Sequence, residues 1–575
     1  MRRFLRRVAG HEPTVLLVLG LLVGLVTGYG AIICRLGIDA IRTLAFGRTG
    51  DIAVLAQHAA PLLVLLLPAI GGLVVAPIVL LFAPEAKGHG VPEVMDAIAR
   101  HGARIRPRVA ISKAIASVVT LGTGGSAGWE GPIIQIGAGF GSSLGQMSRM
   151  SRRPMRVLVA CGAAAGIAAT FNAPIAGVLF ALEVLLGDLA LVTFSPVVVA
   201  SVAGAAVTFV HSGSNAVFDI PVGKFRLASA WEIPLYVVLG VASACGAVLF
   251  TRLLYFFEDI LEGVKMPRLM LPALGGLAVG AIGIAMPEVL GIGYDAISRA
   301  FRGEFGLAML CGLFFAKLAA TSLTLGSGGS GGIFAPSLMM GAVLGAGFGE
   351  VVGKLFPGVA ALPGVYAVVG MAALVAGTTH APIAAILILF EMTRDFHIII
   401  PLMISCIVAT YVARGLLKDS IYTLKLSRRG VRLRGGRDEA VLQSLTVREA
   451  MHADAIVLVE SMSFGEVRMQ ALQSRHHVFP VVDAEGRFSG VVTLAALRPF
   501  LVEEGLHGVA VARDLAEPPG QVLSPDDDLE VARKAFVRSP YEELPVVDPS
   551  TRRVVGLLRE HELYAAYNNA VARAY

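Results

Sequence analysis

Two glycine-rich segments of the chain have the composition of an anion-binding site. They run from Gly122 to Pro132 and from Gly326 to Pro336, and each is followed by an apolar run. Glycines beside a proline break a helix, and a proline in a first turn marks where the next helix begins. A helix N-terminus offers unpaired backbone N–H groups and about half a positive charge. Each segment could therefore hold a small anion weakly, without a lysine or arginine; the alternative is that the glycines only let helices pack closely.

One carboxylate, Glu130, lies inside the first of these segments. A carboxylate within a membrane is costly, and the usual reason for keeping one is function. Beside helix N-termini its charge would compete with an anion for the same dipoles, so its protonation or displacement would open a path. The alternative is a salt-bridged acid with no role in transport.

The two segments belong to an internal repeat. At an offset of 204 residues, 113–132 aligns with 317–336 with ten identities in twenty positions. At an offset of 208, 172–183 aligns with 380–391 with six identities in twelve. Duplicated halves that are interrupted at matching positions point to a transport site at the bilayer midplane, between the repeats. We expect the halves, about 14–212 and 233–425, to be inverted.

The elements that carry these segments are predicted to be membrane helices. Of the 575 residues, 55% are hydrophobic and 16% charged, and the mean hydropathy is +0.73, which excludes a single soluble core. Several apolar runs reach the ~20 residues that a span needs. The runs are 14–35, 60–84, 155–186, 190–212, 233–256, 268–290, 305–325, 364–393 and 396–418.

No nucleophile–base pair, metal-ligand cluster or phosphate loop is recognisable, so neither an enzyme nor a metal site is expected. The five cysteines lack paired spacing and are predicted to be packed thiols.

Basic residues flank the apolar region at both ends. The chain begins MRRFLRR, and six lysines and arginines occur between Lys425 and Arg437. Such residues stay on the cytoplasmic side, so we expect a multi-pass protein of the cell membrane with a cytoplasmic N-terminus at 1–13 and a basic linker at 426–443. The net charge of +6 then requires no nucleic-acid partner. Residues 431–575 carry 37 charged side chains, against 53 in residues 1–430, which predicts a separate water-exposed domain.

From about residue 444, short β-rich runs alternate with helical ones in two copies. VFPVVD at 478–483 and GVVT at 490–493 recur as LPVVD at 544–548 and GLLR at 556–559. Two β-α-β-β-α units of this kind resemble a pair of CBS domains, here 444–575. Paired CBS domains often bind adenine nucleotides through an Asp three residues after a Thr or Ser. The chain has Thr493 followed by Ala496, and Arg559 followed by Glu562, so support for a nucleotide is weak, and no other cofactor is expected.

Three motifs of the apolar region resemble the signatures of the CLC family of chloride channels and chloride/proton exchangers. They are GHGVP at 88–92, GWEGP at 128–132 and GIFAP at 332–336, and a tyrosine stands at 422, where the family keeps its pore tyrosine. The resemblance spans about residues 15–425. It implies a multi-spanning all-α membrane protein with broken and re-entrant helices, which works in the lipid bilayer as a homodimer with one chloride pathway per subunit.

The resemblance also implies which residues line that pathway. Glu130 would be the gating glutamate, and the other residues would bind the anion through backbone amides or side chains. The anion-binding residues would be His89, Trp129, Gly131, Ile333, Phe334 and Tyr422.

The chain departs from the family pattern at two of its positions. Where exchangers carry an inner, proton-relaying glutamate, this chain has Val184, so we expect passive chloride conduction, with proton-coupled exchange by another proton route as the alternative. The neighbouring Glu183 and its repeat mate Glu391 are interpreted as acids that hydrogen-bond helix ends. His89 stands where the family usually has a serine; its imidazole could meet the anion and titrate near neutral pH, or could turn towards a backbone carbonyl.

Overall fold

The structure is a computed structural model that describes residues 12–187, 191–213, 232–357, 362–431, 442, 445–500, 510–518 and 520–574. The chain forms two compact units, 1–432 and 433–575. The described part of the first unit is helical. Its helices are α1 (Glu12–Phe46), α2 (Ile52–Gln57), α3 (Pro61–Pro77), α4 (Val91–Arg100), α5 (Pro107–Gly122), α6 (Glu130–Met147), α7 (Arg152–Phe171), α8 (Pro174–Phe180), α9 (Leu191–Ser212), α10 (Ile233–Gly263), α11 (Leu271–Ala285), α12 (Tyr294–Phe301), α13 (Leu307–Gly326), α14 (Phe334–Leu355), α15 (Pro363–Thr379), α16 (Pro382–Thr393), α17 (Ile399–Leu416) and α18 (Thr423–Arg428).

Several of these helices are too short to cross a bilayer. Within the described ranges, eight helical segments have the length and hydropathy of a span, whereas α11, α15 and α16 are apolar but shorter. The apolar runs 155–186 and 364–393, each long enough on its own, are both divided into two helices. The breaks fall at Asn172 and His380, whose φ angles are 53° and 58°, and a proline begins the next helix two residues later. The left-handed residue ends one helix and the proline starts another, which produces the broken helices that the sequence predicts.

The two repeats are related by two-fold symmetry. The hydroxyl groups of Ser117 and Ser330 lie 2.9 Å apart, and those of Ser126 and Thr321 lie 3.2 Å apart. Thr321 lies 204 residues after Ser117, and Ser330 lies 204 residues after Ser126. The second contact is therefore the first contact with the two repeats exchanged. Reciprocal contacts of this kind require a two-fold axis between α5 and α13.

The same symmetry brings α3 and α11 into close contact. A Cβ added at Gly72 would lie 2.3 Å from the carbonyl oxygen of Pro272, and one added at Gly276 would lie 2.3 Å from that of Pro68. Only glycine permits this approach. Beside the contact between α3 and α11 lies a small cavity, whose lining residues form five repeat-related pairs. The pairs are Pro68 and Pro272, Gly72 and Gly276, Thr120 and Thr324, Thr123 and Ser327, and Gly125 and Gly329.

The second unit contains two related α/β motifs. The first has the β-α-β-β-α order that the sequence predicts, whereas in the second the leading strand is reduced to one parallel bridge between Leu523 and Val546. Strands β1 (Leu458–Val459), β2 (Val478–Val482) and β3 (Phe488–Thr493) form one sheet, with β1 parallel and β3 antiparallel to β2. Strands β4 (Glu543–Val547) and β5 (Val554–Arg559) form an antiparallel pair. The helices are α19 (Val447–Ala450), α20 (Phe464–Gln473), α21 (Leu494–Leu497), α22 (Ala512–Leu515), α23 (Leu529–Arg538) and α24 (Glu560–Ala574).

The leading helix of each motif packs on the other motif. Val447 of α19 donates its backbone N–H to Asp527 at 2.8 Å and packs in the core formed by α23, β4 and β5. Ala512 of α22 donates to the carbonyl of Met462 at 2.8 Å and packs in the core around β2. The repeat in the sequence gives no sign of this exchange, which ties the two motifs together.

The cysteine side chains differ in exposure, although the sequence analysis predicted that all five are packed. Cys161 and Cys406 are buried, but Cys245 and Cys311 are exposed on α10 and α13. The prediction of packed thiols is wrong for these two, because composition alone does not tell which face of an apolar helix points outwards.

Candidate anion pathway

Four helices begin at the predicted anion-binding motifs. Helix α4 follows Gly90, α6 follows Trp129, α14 follows Ile333 and α18 follows Tyr422. The backbone angles of Trp129 (φ −102°, ψ −9°) and Ile333 (φ −103°, ψ −8°) are almost the same, so the two repeats enter their helices in the same way. Each start presents N–H groups that have no partner within the helix.

Backbone hydrogen bonds hold the three motif loops against one another. Gly128 and Gly332 exchange two N–H···O bonds, of 2.7 and 2.5 Å, across the two repeats. Gly331 donates to the carbonyl of Gly88 at 3.3 Å. At Gly131 an added Cβ would lie 2.3 Å from the carbonyl oxygen of His89, so this position accepts only glycine. Motifs that are more than 200 residues apart in the chain therefore meet in one place.

Two buried lysines brace this region, and the sequence analysis missed their role. Lys113 donates to the carbonyls of Ala86 at 3.0 Å and Gly88 at 2.5 Å. Its repeat mate Lys317 donates in the same way to two carbonyls of a second loop, at 3.0 and 2.8 Å, the nearer being that of Gly291. Both lysines begin the aligned repeat segments, so their conservation between the halves was a signal that could have found them.

The carboxylate of Glu130 lies at the centre of this arrangement and is fully buried. Tyr294 donates its hydroxyl to Oε1 at 2.8 Å, and the backbone N–H groups of Glu130 and Ala335 also face the carboxylate. A side-chain hydrogen bond joins Trp129 to Tyr294, and because an indole N–H can only donate, the tyrosine oxygen accepts it. The acid is thus seated at the start of α14, where an anion would bind.

Tyr294 was not a candidate in the sequence analysis. It ends the segment GIGY at 291–294, which aligns with GHGV at 88–91 at an offset of 203. The glycines of both segments have positive φ angles, 76° and 86° at Gly88 and Gly90, and 60° and 93° at Gly291 and Gly293. The repeat mate of the first motif therefore supplies the hydroxyl that is hydrogen-bonded to Glu130, and extending the repeat alignment would have drawn attention to this segment.

Two aromatic residues of the predicted site, Phe334 and Tyr422, are buried, whereas Trp129 is half-buried. Tyr422 is 2% exposed, and its ring centroid lies 5.9 Å from that of His89. The ring of Phe334 lies 5.5 Å from Phe171 and 6.4 Å from Phe180. These rings form an apolar wall, which leaves backbone dipoles and a few hydroxyl and imidazole groups as the polar contacts for an anion.

His89 makes one long polar contact in the structure. Its Nε2 lies 3.4 Å from the hydroxyl of Tyr255, which in turn donates to the carbonyl of Ile421 at 2.6 Å. Its Nδ1 is buried and has no hydrogen-bond partner among the described residues. Of the two orientations that the sequence left open, the one in which a ring nitrogen bonds a backbone carbonyl is not the one observed.

Glu183 and Glu391 cap helices of the opposite repeat, as the sequence analysis proposed. Glu183 accepts the N–H groups of Ile383 at 3.3 Å and Ala384 at 2.7 Å, at the start of α16. Glu391 accepts the corresponding two N–H groups at the start of α8, at 3.1 and 2.7 Å. Val184 follows Glu183 in a π-helical turn, Ala181–Leu186, and its aliphatic side chain cannot carry a proton.

In the second unit, the positions that would bind a ribose do not carry the usual acid. Thr493 caps α21 by accepting the N–H of Ala496 at 3.1 Å, and alanine offers no group for a sugar hydroxyl. In the other motif Glu562 is ion-paired with His452, and Arg559 pairs with Glu543 at 2.8 Å. The geometry adds no support for a nucleotide beyond the presence of the two motifs.

Comparisons with known proteins agree with both units. Residues 71–414 match the family model of voltage gated chloride channels, and residues 447–503 and 511–569 each match that of a CBS domain. A ClcB-like chloride channel protein of Ralstonia nicotianae is 36% identical over 63% of this chain and 85% of its own length. The H(+)/Cl(-) exchange transporter ClcA of Citrobacter koseri is 33% identical over 74% of this chain and 91% of its own. The crystal structure of a slow cyanobacterial Cl-/H+ antiporter superposes with a TM-score of 0.65 and 28% identity, covering 73% of this chain and 98% of the other.

Proposed function

The chain belongs to the voltage-gated chloride channel (CLC) family and ends in two CBS domains, and from this we propose that it exchanges chloride for protons across a membrane. Anion transport follows from the family. The finer assignment, exchange rather than passive conduction, rests on the seated carboxylate of Glu130 and on the activities for which the relatives are named.

The position of Glu130 is the observation that carries the proposal. The carboxylate is buried at the N-terminus of α14, with the hydroxyl of Tyr294 at 2.8 Å. A chloride ion cannot use these dipoles while the charged carboxylate holds them. When a proton neutralises Glu130, the acid is no longer attracted by these dipoles and chloride can take its place. Each proton bound or released therefore changes the occupancy of the anion pathway. This is the coupling that an exchanger requires.

The relatives favour exchange over the passive conduction that the sequence alone favoured. The transporter of Citrobacter koseri and the cyanobacterial antiporter are both named for proton exchange. Passive conduction remains the second candidate, and the observation that favours it is Val184, which offers no proton carrier at the position where exchangers keep an inner glutamate.

The experiment that tests the proposal uses the purified full-length chain in proteoliposomes. A chloride gradient should drive proton movement against a proton gradient, and the reversal potential should shift when only the pH on one side is changed. Glu130→Gln should abolish the proton movement. A reversal potential that follows chloride alone would establish passive conduction instead. Replacing chloride with fluoride, bromide or nitrate in the same assay would establish which anion is preferred.

The charge of repeat-related loops supports an inverted orientation with the termini in the cytoplasm. Exposed arginines are concentrated in two loops, α4–α5 and α6–α7, and in the helix starts that follow them. The corresponding segments of the other repeat, 302–306 and 356–363, together contain only one arginine and one glutamate. Arginine-rich loops stay cytoplasmic. The exposed arginines are Arg104, Arg106, Arg108, Arg149, Arg152 and Arg153.

The end of the first unit lies on this same face. Lys425 and Arg429 pair with Glu93 of α4 at 3.0 and 3.5 Å, and α4 leads directly into the first arginine-rich loop. The CBS domains would then follow into the cytoplasm. Labelling of single cysteines placed at Arg152 and at Gly303 from either side of a sealed vesicle would check the assignment.

We also propose that the transporter is a homodimer, as the family resemblance implies. The repeat mates Ile175 and Ile383, at the starts of α8 and α16, are 55% and 45% exposed, so the apolar surface of these short helices is available to a second subunit. Mass determination in lipid nanodiscs would distinguish a dimer from a monomer.

A further inference from the structure

Besides Oε2 of Glu130 and Oε1 of Gln135, two buried polar atoms next to the anion pathway have no partner among the described residues. They are Nδ1 of His89 and Oε2 of Glu93. His89 is 3% exposed and the side chain of Glu93 is 8% exposed. The two residues are four positions apart, one just before α4 and the other in its first turn, so both stand at the same helix N-terminus. Unpaired polar atoms inside a protein are costly and call for an explanation.

The contacts of Tyr255 determine which nitrogen of His89 carries the proton. The hydroxyl hydrogen of Tyr255 is given to the carbonyl of Ile421 at 2.6 Å, so its oxygen can only accept from Nε2 of His89. The neutral imidazole therefore has its hydrogen on Nε2 and its lone pair on Nδ1. A ring with one N–H and one free lone pair can take up a proton at Nδ1 and release another from Nε2.

Glu93 connects this imidazole to the face of the protein that carries the arginines. Its Oε1 pairs with Lys425 at 3.0 Å and with Arg429 at 3.5 Å, and the side chain of Arg429 is 47% exposed. Glu93 therefore stands between the aqueous face and His89, while the ring of His89 lies 5.9 Å from that of Tyr422 on the anion side.

We propose that Glu93 and His89 form the inner half of the proton path and replace the carboxylate that is missing at Val184. This rests on the proposed exchange. A proton from the aqueous face passes through the carboxyl of Glu93 to Nδ1 of His89, which becomes an imidazolium while the carboxylate is restored. The imidazolium then releases its Nε2 proton from the Tyr255 contact through the central site to the carboxylate of Glu130, which leaves a neutral imidazole with its hydrogen on Nδ1. Transfer of that hydrogen back to Nε2, by tautomerisation or rotation of the ring, restores the starting form before the next proton enters.

The charges around His89 couple this step to the anion. An imidazolium here would face three cations and one carboxylate, so a chloride ion at the adjacent central site would stabilise it. Proton entry would thus be favoured when the site is occupied. The titratable and charged groups that face His89 are Glu93 of α4, Lys113 of α5, Tyr255 of α10, Lys425 of α18, Arg429 just after α18, and Tyr422 at its start.

The test measures protons moved per chloride in proteoliposomes containing the full-length protein. His89→Gln keeps a hydrogen-bonding side chain but cannot relay a proton, so the ratio should fall by at least about 100-fold, the low end of what one acid–base group contributes. Adding Val184→Glu to His89→Gln should restore the ratio by supplying a carboxylate. His101→Gln, at an exposed histidine on the arginine-rich face, is the matched control and should keep the wild-type ratio.

The outcomes separate the two proposals. If the wild-type protein moves no protons against chloride, exchange itself is wrong. If the wild type exchanges and His89→Gln keeps the full ratio, the relay is wrong and exchange stands. Free imidazole gives a second measurement: it should restore proton movement in His89→Ala and leave the wild type unchanged, and no restoration would overturn the relay. Glu93→Asp, which keeps the acid and its ion pairs, should retain a larger ratio than Glu93→Gln; equal ratios would remove Glu93 from the path.

Discussion

The hydroxyl of Tyr294 should determine how strongly the gate competes with the anion. Tyr294→Phe keeps the buried ring and removes the donor that lies 2.8 Å from Oε1 of Glu130. A hydrogen bond to a charged group contributes about 1.5–3 kcal/mol, which is a factor of about 10 to 150 in the equilibrium between a seated and a displaced carboxylate. We therefore expect the apparent chloride dissociation constant to fall, by up to that factor if the seated gate is the dominant state.

The assay is calorimetric titration of chloride into detergent-purified protein, with chloride efflux from proteoliposomes as a second measurement. The substitution also removes the acceptor of the Trp129 indole, which could weaken the site by itself. A double-mutant cycle with Glu130→Gln separates the two effects, because the amide carries no charge for the tyrosine to stabilise. If Tyr294→Phe changed chloride affinity equally in both backgrounds, the seated-gate argument would be refuted.

Three further predictions concern other buried or paired groups. Glu391→Gln weakens two charge-assisted hydrogen bonds to the start of α8 and should lower the thermal unfolding temperature of the protein, whereas Glu350→Gln, at an acid on the surface of α14, should not. Lys113→Met removes the buried ammonium donor from the carbonyls of Ala86 and Gly88, which keep only the weaker neutral donors of Ser330 and Gly331, so chloride affinity in the same titration should decrease; an unchanged affinity would show that the neutral donors suffice to hold the loop. Ion pairs with Arg533 and Lys534 lower the pKa of Glu530 below its ordinary value of 4.5, so its contribution to stability is present above that value and is lost as pH falls through the lowered pKa. The protection factors of the α23 amides, which are the exchange rates corrected for the slower intrinsic exchange at low pH, should therefore fall on acidification in the wild type and depend less on pH in Glu530→Gln.

Glycine, proline and the internal repeat explain why so much of the membrane unit could be predicted. Helix starts at Glu130 and Phe334 follow from local chemistry, since a proline in the first turn and glycines before it leave few alternatives. The capping role of Glu183 and Glu391 was predicted for the same reason: a carboxylate repeated in both halves needs donors, and helix N-termini supply them. The CBS strands were recognisable because short β-rich runs, alternating with helical ones, occur in two copies.

The residues that the sequence analysis missed act across long separations in the chain. Tyr294 reaches Glu130 from a loop 164 residues away, and Tyr255 reaches His89 from 166 residues away. The repeat alignment includes Lys113 but does not show that its ammonium group donates to two carbonyls. The exchange of α19 and α22 between the CBS motifs was equally hidden, because a four-residue helix packs on whichever apolar surface lies next to it.

The sequence by itself determined that this protein is a duplicated, helix-interrupted membrane transporter of the CLC type with a paired CBS domain, because composition, glycine–proline breaks and repeats are local properties of a chain. Only the tertiary structure decided that Glu130 is held by Tyr294 and that Nδ1 of His89 and Oε2 of Glu93 are both buried without a partner among the described residues. Those arrangements depend on which donors meet which acceptors when distant loops close over one another, and a linear pattern does not record the distance between atoms.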